Sequence, residues 1–244
     1  MRTPFARTFV VAAAMSLSPA ALACEPLQPQ AHEYLVQRGD TKLGTGQIRL
    51  KPGQAAGCYV LEQVATPYFF LRWLSGPATQ SSEFCQLPDG TLRSYSYHQY
   101  RTGVGAEDEN YDLVFDWAEG VVQGAAQANI ALQPELSDAL LLQLRVRRWL
   151  CGQPPEADLQ TLAPLELSFV DDDGLDQYTF AVMDTETVEV PAGRIEALRV
   201  ERIDAEDRFS RFWLDPSQSY AVVRAEQQKR DDPPVRLSLR KVLQ

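Results

Sequence analysis

Along most of this 244-residue chain, apolar and polar residues alternate with a period of two. Tyr34 and Val36 alternate with Glu33 and Gln37, and Ile48 and Leu50 alternate with Gln47, Arg49 and Lys51. Leu113, Phe115 and Trp117 form one face opposite Asp112 and Asp116. The same pattern recurs in Leu165, Leu167 and Phe169, in Tyr178, Phe180 and Val182, and in Val235, Leu237 and Leu239. Such runs belong to strands with one side on a core and the other in water. Turn-forming runs separate them: Arg38-Gly39-Asp40, Lys51-Pro52-Gly53, Pro88-Asp89-Gly90, Asp173-Gly174 and Pro191-Ala192-Gly193. Their close spacing predicts consecutive antiparallel hairpins and a mainly β fold.

Two segments break the alternation. The run LSDALLLQLRVRRWL (136–150) predicts one strong helix. Ser137 can cap it, Glu135 and Asp138 place acids at its start, and Arg145, Arg147 and Arg148 place cations near its end. Gly152 and Pro154 stop it. Its apolar positions cover more than one stripe, so most of its surface is expected to be buried. The second segment, PYFFLRWL (67–74), reads as a helical turn or a bent strand.

The N-terminus has the layout of a secretory leader. Arg2 and Arg7 precede a short apolar run (9–17), and Ala21-Leu22-Ala23 is an A-x-A cleavage site. This predicts a leader over 1–23 and a single β-rich exported domain over 24–244, periplasmic in location. The Pro-rich run 152–164 reads as a loop within that domain. A span needs roughly 20 apolar residues, so no transmembrane segment is expected in the mature chain. The alternative is a lipoprotein anchored through Cys24. A lipoprotein box wants leucine three places before the cysteine, whereas this chain has Ala21 there and Leu22 one place late.

Losing the leader would remove two arginines and take the formal charge from −10 to −12. A chain this acidic is repelled by nucleic-acid phosphates and by anionic lipid headgroups, so neither is expected as a general partner. The 4 cysteines fit an oxidising compartment. Cys58 opens one predicted strand and Cys85 lies in another, so adjacent antiparallel strands can pair them. Cys24 is then left to Cys151 at the helix end. Four cysteines allow three connectivities, and acylation of Cys24 would leave one cysteine unpaired.

Catalytic signatures are lacking. His32 and His98 fit no metal-binding spacing and read as strand-surface residues, and no C-x-x-C occurs. Neither a G-x-S-x-G elbow nor a P-loop is present, and Gly103-Val104-Gly105 lacks the rest of a dinucleotide fingerprint. Asp171-Asp172-Asp173-Gly174 would need an acid where Phe169 stands, and a closing glutamate where Phe180 stands, to resemble an EF-hand. It reads as a hairpin turn. Glu107-Asp108-Glu109 reads as a solvated loop, with a calcium site as its alternative. Asp112 and Asp116 would stand roughly 13 Å apart on a strand, too far for a glycosidase pair. No catalytic residue, cofactor or metal is therefore expected.

The order of five segments resembles a widespread family of bacterial exported proteins of unknown function. They are YLVQRGDTKLGTGQIRL (34–50), YDLVFDWAEGVV (111–122), SDALLLQLRVRRWL (137–150), VPAGRIEALRVER (190–202) and RFWLDPSQSYAVVRAEQQ (211–228). The resemblance implies a single strongly curved antiparallel sheet, or open barrel, with the helix on its concave face. That outline is similar to periplasmic lipoprotein and lipid carriers. That likeness is one of fold, which does not fix function; the reading taken is a non-enzymatic envelope protein that binds a lipid or other apolar ligand in the concave face. Tyr68, Phe69, Phe70, Trp73, Leu141, Leu144 and Trp149 are the candidate lining. The alternatives are a structural or partner-binding module acting on another envelope protein and, less favoured, an unrecognised hydrolase.

Overall fold

The computed structural model describes residues 27–69, 75–104 and 110–243. Eight strands precede the helix or lead into it: β1 (Gln30–Arg38), β2 (Thr41–Pro52), β3 (Cys58–Pro67), β4 (Ser75–Gln86), β5 (Leu92–Gly103), β6 (Tyr111–Asp116), β7 (Val121–Gln123) and β8 (Ile130–Ala131). A two-residue strand, β9 (Ser137–Asp138), leads through a 3₁₀ turn (Ala139–Leu141) into the helix α1 (Leu142–Cys151). Then follow β10 (Leu165–Val170), β11 (Leu175–Val190), β12 (Gly193–Arg202), β13 (Arg208–Asp215), β14 (Ala221–Lys229) and β15 (Val235–Leu243).

All fifteen strands form one sheet, in the order β8-β7-β6-β5-β4-β3-β2-β1-β15-β14-β13-β12-β11-β10-β9. Hairpins run outward from β1 to β8. The chain then crosses the concave face through α1 and winds back from the far edge until β15 pairs antiparallel with β1. Among the described residues no ladder joins β8 to β9, so the sheet is open, as expected.

Hydrogen bonds hold the two edges of the curl near each other. The amides of Ala126 and Gln127 donate to the carbonyls of Asp172 and Asp173, at 2.7 and 3.2 Å. The Leu175 amide donates to Gln127 Oε1 at 3.0 Å. The 171–174 segment is the predicted hairpin turn. Asp171 Oδ1 accepts from the amides of Asp173 and Gly174. Of the Asp-Gly pair only Gly174 takes a positive φ, +147°, and a Cβ there would lie 2.6 Å from that of Gln127.

The helix fills the concave side by binding both halves of the sheet. Leu140, Leu141 and Leu144 pack with Leu50, Leu61, Phe84, Leu113 and Phe115 of the first half. Leu142, Val146 and Leu150 pack with Leu167, Phe169, Phe180, Val200 and Leu214 of the second. This two-sided burial accounts for an apolar pattern wider than one stripe. The helix starts later than the expected 136, because Ser137 and Asp138 form β9 beside β10. The side-chain cap falls on the 3₁₀ turn before the helix and comes from Asp138, whose Oδ1 accepts from the amides of Leu140 and Leu141. Ser137 is buried and instead accepts from Arg145 at 3.3 Å.

Cys58 and Cys85 face each other in the β3–β4 register and form a disulfide, the expected pairing. Its loss in a Cys58→Ser, Cys85→Ser double variant should lower the unfolding free energy by about 2 to 4 kcal/mol, since the loop it closes becomes free in the unfolded chain. Urea denaturation of both forms measures this. Cys151 is also disulfide-bonded. Its expected partner, Cys24, lies outside the described residues.

Candidate functional site

The registers of the first half-sheet show where its interior is filled and where it is hollow. Residues in one cross-strand row point to the same face, and successive rows are two residues apart. One row runs Leu50, Leu61, Ser82, Tyr97, Leu113 and lies against the helix, packed solid apart from a small serine. The next row runs Ile48, Gln63, Gln80, Gln99, Tyr111. The row beyond is Gly46, Ala65, Ala78, Arg101. Bulk therefore drops sharply away from the helix, and neither glutamines nor glycine and alanine refill the space.

The second half-sheet repeats this. Leu237, Ala225, Phe212 and Val200 form one row, and Val235, Gln227 and Ser210 form the next. Between the halves lies a cavity of about 400 Å³. The 3₁₀ turn and the start of α1 contribute Leu140, Leu142 and Gln143 to its wall. A second volume of about 330 Å³ extends it past the row of small residues, toward Leu43, Thr45 and Pro67. Gln63, Gln80 and Gln99 border both volumes, so the two adjoin along this polar row and together make up a trough. Gln80 donates to Gln99 Oε1 at 2.7 Å, and the Tyr97 hydroxyl donates to the same oxygen at 3.0 Å.

The walls are mostly neutral. Burial pushes the Tyr97 phenol far above its usual range and Tyr111 up to about 12, so both keep their protons at physiological pH. Glu226 borders the cavity, and its carboxylate is held by Arg211 at 3.1 Å and Arg236 at 2.8 Å. Asp171 and Asp172 border it at the β10–β11 turn, where burial raises the Asp171 pKa. Among the described residues no group of three His, Cys, Asp or Glu side chains could hold a metal ion.

The expected lining residues lie elsewhere. Leu141 is fully buried in the core, and Leu144 borders a crevice of about 30 Å³ beside His32 and Arg147. Trp149 packs on the second core cluster, and Phe69 is 88 % exposed. Tyr68, half-buried, follows β3, with its amide bonded to the Leu43 carbonyl. Phe70 and Trp73 lie outside the described residues, as does the 107–109 acidic run. The structure thus brings none of the described candidates to the large cavity, because the helix turns Leu140 and Leu142 toward it while Leu141 and Leu144 enter the core.

The remaining polar candidates are accounted for locally. His98 is exposed on β5, its Nδ1 2.6 Å from Asp112 Oδ1. His32 is half-buried rather than on a strand surface, and burial, aided by Arg147, lowers its pKa. Asp116 accepts from the amides of Ala118 and Glu119 in the turn after β6.

These features define an open, curled-sheet protein built around one helix and an internal trough. Residues 33–240 match the family described as Protein of unknown function (DUF3108), and the chain belongs to that family. Among solved structures, it is similar to a beta-barrel-like protein of domain of unknown function DUF1849 from Brucella abortus. The match has 12 % identity and a TM-score of 0.49, over 88 % of this chain and 96 % of that one. A protein described as a "putative lipoprotein" from Parabacteroides distasonis matches at 10 % identity and a TM-score of 0.39, over 93 % and 100 % of the two chains. No curated protein matches the sequence. Among the described residues no helix is long and apolar enough to cross a membrane.

Proposed function

We propose that this chain is an exported envelope protein that binds an acyl chain or similar apolar ligand in the trough and does no chemistry on it. The observation carrying this reading is the hollow itself. A cavity of about 400 Å³, with a further 330 Å³ adjoining it, lies within the usual range of ligand pockets. Its tyrosines are uncharged, and its aromatic and aliphatic side chains offer a chain about 0.8 kcal/mol per buried methylene. The cross-strand disulfide supports an oxidising compartment, and the leader-like N-terminus supports export to the periplasm.

Protein purified without detergent should carry lipid. Native mass spectrometry is expected to show an adduct that is lost on denaturation and recovered in an organic extract. Protein that arrives clean and takes up no monoolein would overturn the reading. The denatured, unreduced mass also reports on Cys24. A mature chain beginning there and four hydrogens lighter than the reduced form is expected, with Cys24 joined to Cys151. A diacylglycerol adduct would instead make the protein a lipoprotein.

A further inference from the structure

One end of the cavity carries charge of the opposite sign to the chain as a whole. On the second half-sheet the concave face changes character along β13 and β14. Phe212 faces Ala225, then Ser210 faces Gln227, then Arg208 faces Lys229. Two cations directly opposite each other on neighbouring strands destabilise a sheet. Among the described residues neither Arg208 nor Lys229 has a carboxylate within ion-pair distance to offset this.

Arg208 and Lys229 border a volume of about 320 Å³ that shares Tyr178, Ser210, Gln227 and Val235 with the cavity. Two further cations reach the same mouth. Arg202 is largely buried and lies over the Tyr178 ring, 3.4 Å from its centroid, with Asp204 as its ion partner. Arg38 stands near Asp232, at 3.8 Å. Four cations thus border or approach the opening, against Asp232 and the Asp204 already engaged by Arg202. Asp171 and Asp172, at the β10–β11 turn, would repel an anion placed beside them. Cations gathered at this mouth select a chemistry, an anionic head group whose chain lies in the cavity.

We propose that the ligand is an anionic amphiphile, an acyl chain ending in a phosphate or carboxylate, with its head group between Arg208 and Lys229 and its chain in the cavity. This rests on the cavity's taking an acyl chain, as proposed above. The net charge of the chain, which argues against binding anionic lipid surfaces in general, does not describe this mouth.

The test compares three probes by titration calorimetry: oleoyl lysophosphatidic acid, monoolein and glycerol 3-phosphate. The first two share a chain and differ in head-group charge. Charge-assisted hydrogen bonds should favour the lysophosphatidic acid by roughly tenfold or more, a preference that shrinks with added salt. The exposed pair Arg208→Gln, Lys229→Gln should lose that preference, with lysophosphatidic acid falling to about the affinity of monoolein. Equal affinity for both lipids, or a preference that survives in the variant, would overturn the head-group proposal alone. If neither lipid binds, the apolar-ligand reading falls with it. Binding of glycerol 3-phosphate as tightly as the lysolipid would show a site for a free anion and overturn the proposal.

Discussion

Asp138→Ala is expected to destabilise the protein by about 3 to 5 kcal/mol, a larger cost than loss of the disulfide. The carboxylate is fully buried and joins three parts of the fold. Its Oδ2 accepts from Ser82 of β4 at 2.6 Å and from Ser94 of β5 at 2.8 Å. Its Oδ1 caps the turn that starts the helix. Alanine would leave two buried hydroxyls and two amides without this acceptor. Asparagine keeps an oxygen for the cap and turns an NH₂ toward the serines, so Asp138→Asn should recover a substantial part of the loss. Urea denaturation of the three proteins would rank them. Alanine and asparagine variants of equal stability would refute this account.

The same residue predicts a pH dependence. Burial raises the pKa of Asp138, and the bonds from Ser82, Ser94 and Leu141 only partly oppose it. A folded-state pKa above the unfolded one means that this group's stabilisation is complete below the unfolded value of about 3.9. It is lost as the pH rises through the folded value. Acidification from pH 8 to pH 5 should therefore improve the wild type relative to Asp138→Asn. A constant difference across that range would show that the group does not titrate there.

Strands whose inner faces are apolar were legible in the sequence. Leu113 and Phe115, or Leu167 and Phe169, sit on one face of a core and alternate accordingly. The disulfide followed from recognising two such neighbours. β5 was obscure for a physical reason. Its inward residues include Ser94, which binds Asp138, and Gln99, which lines the trough, so the face that should read apolar reads polar. The cavity was hidden likewise. Hollows come from small or polar residues in rows that meet only after folding, and Gly46, Ala65 and Ala78 carry no local signal of their alignment. The aromatic run at 67–70 does carry a strong signal, yet Phe69 points to solvent. The pairing of β1 with β15 is also invisible to local reading, since its strands lie at opposite ends of the chain.

Filling the trough should abolish ligand binding while sparing the fold. Ala225 borders the cavity between Phe212 and Leu237, its cross-strand neighbours. A phenyl ring there displaces roughly four methylenes of a bound chain, about 3 kcal/mol, so Ala225→Phe should weaken monoolein binding by about a hundredfold. Were the interior already full, the same ring would instead cost about 1 to 3 kcal/mol of stability through overpacking. Calorimetric titration and thermal melting of the variant distinguish the two. An outward control, Val114→Phe on the exposed face of β6, should change neither. Ala65→Phe then probes the adjoining volume past the glutamine row. With the head group at Arg208 and Lys229, four residues along β13 and β14 from Phe212 and Ala225, a chain running across the cavity meets Ala225 before Ala65. A long oleoyl chain should lose affinity in Ala65→Phe, whereas an octanoyl chain with the same head group should bind as it does to the wild type. Equal losses for both chain lengths would mean that the ligand does not run in that direction.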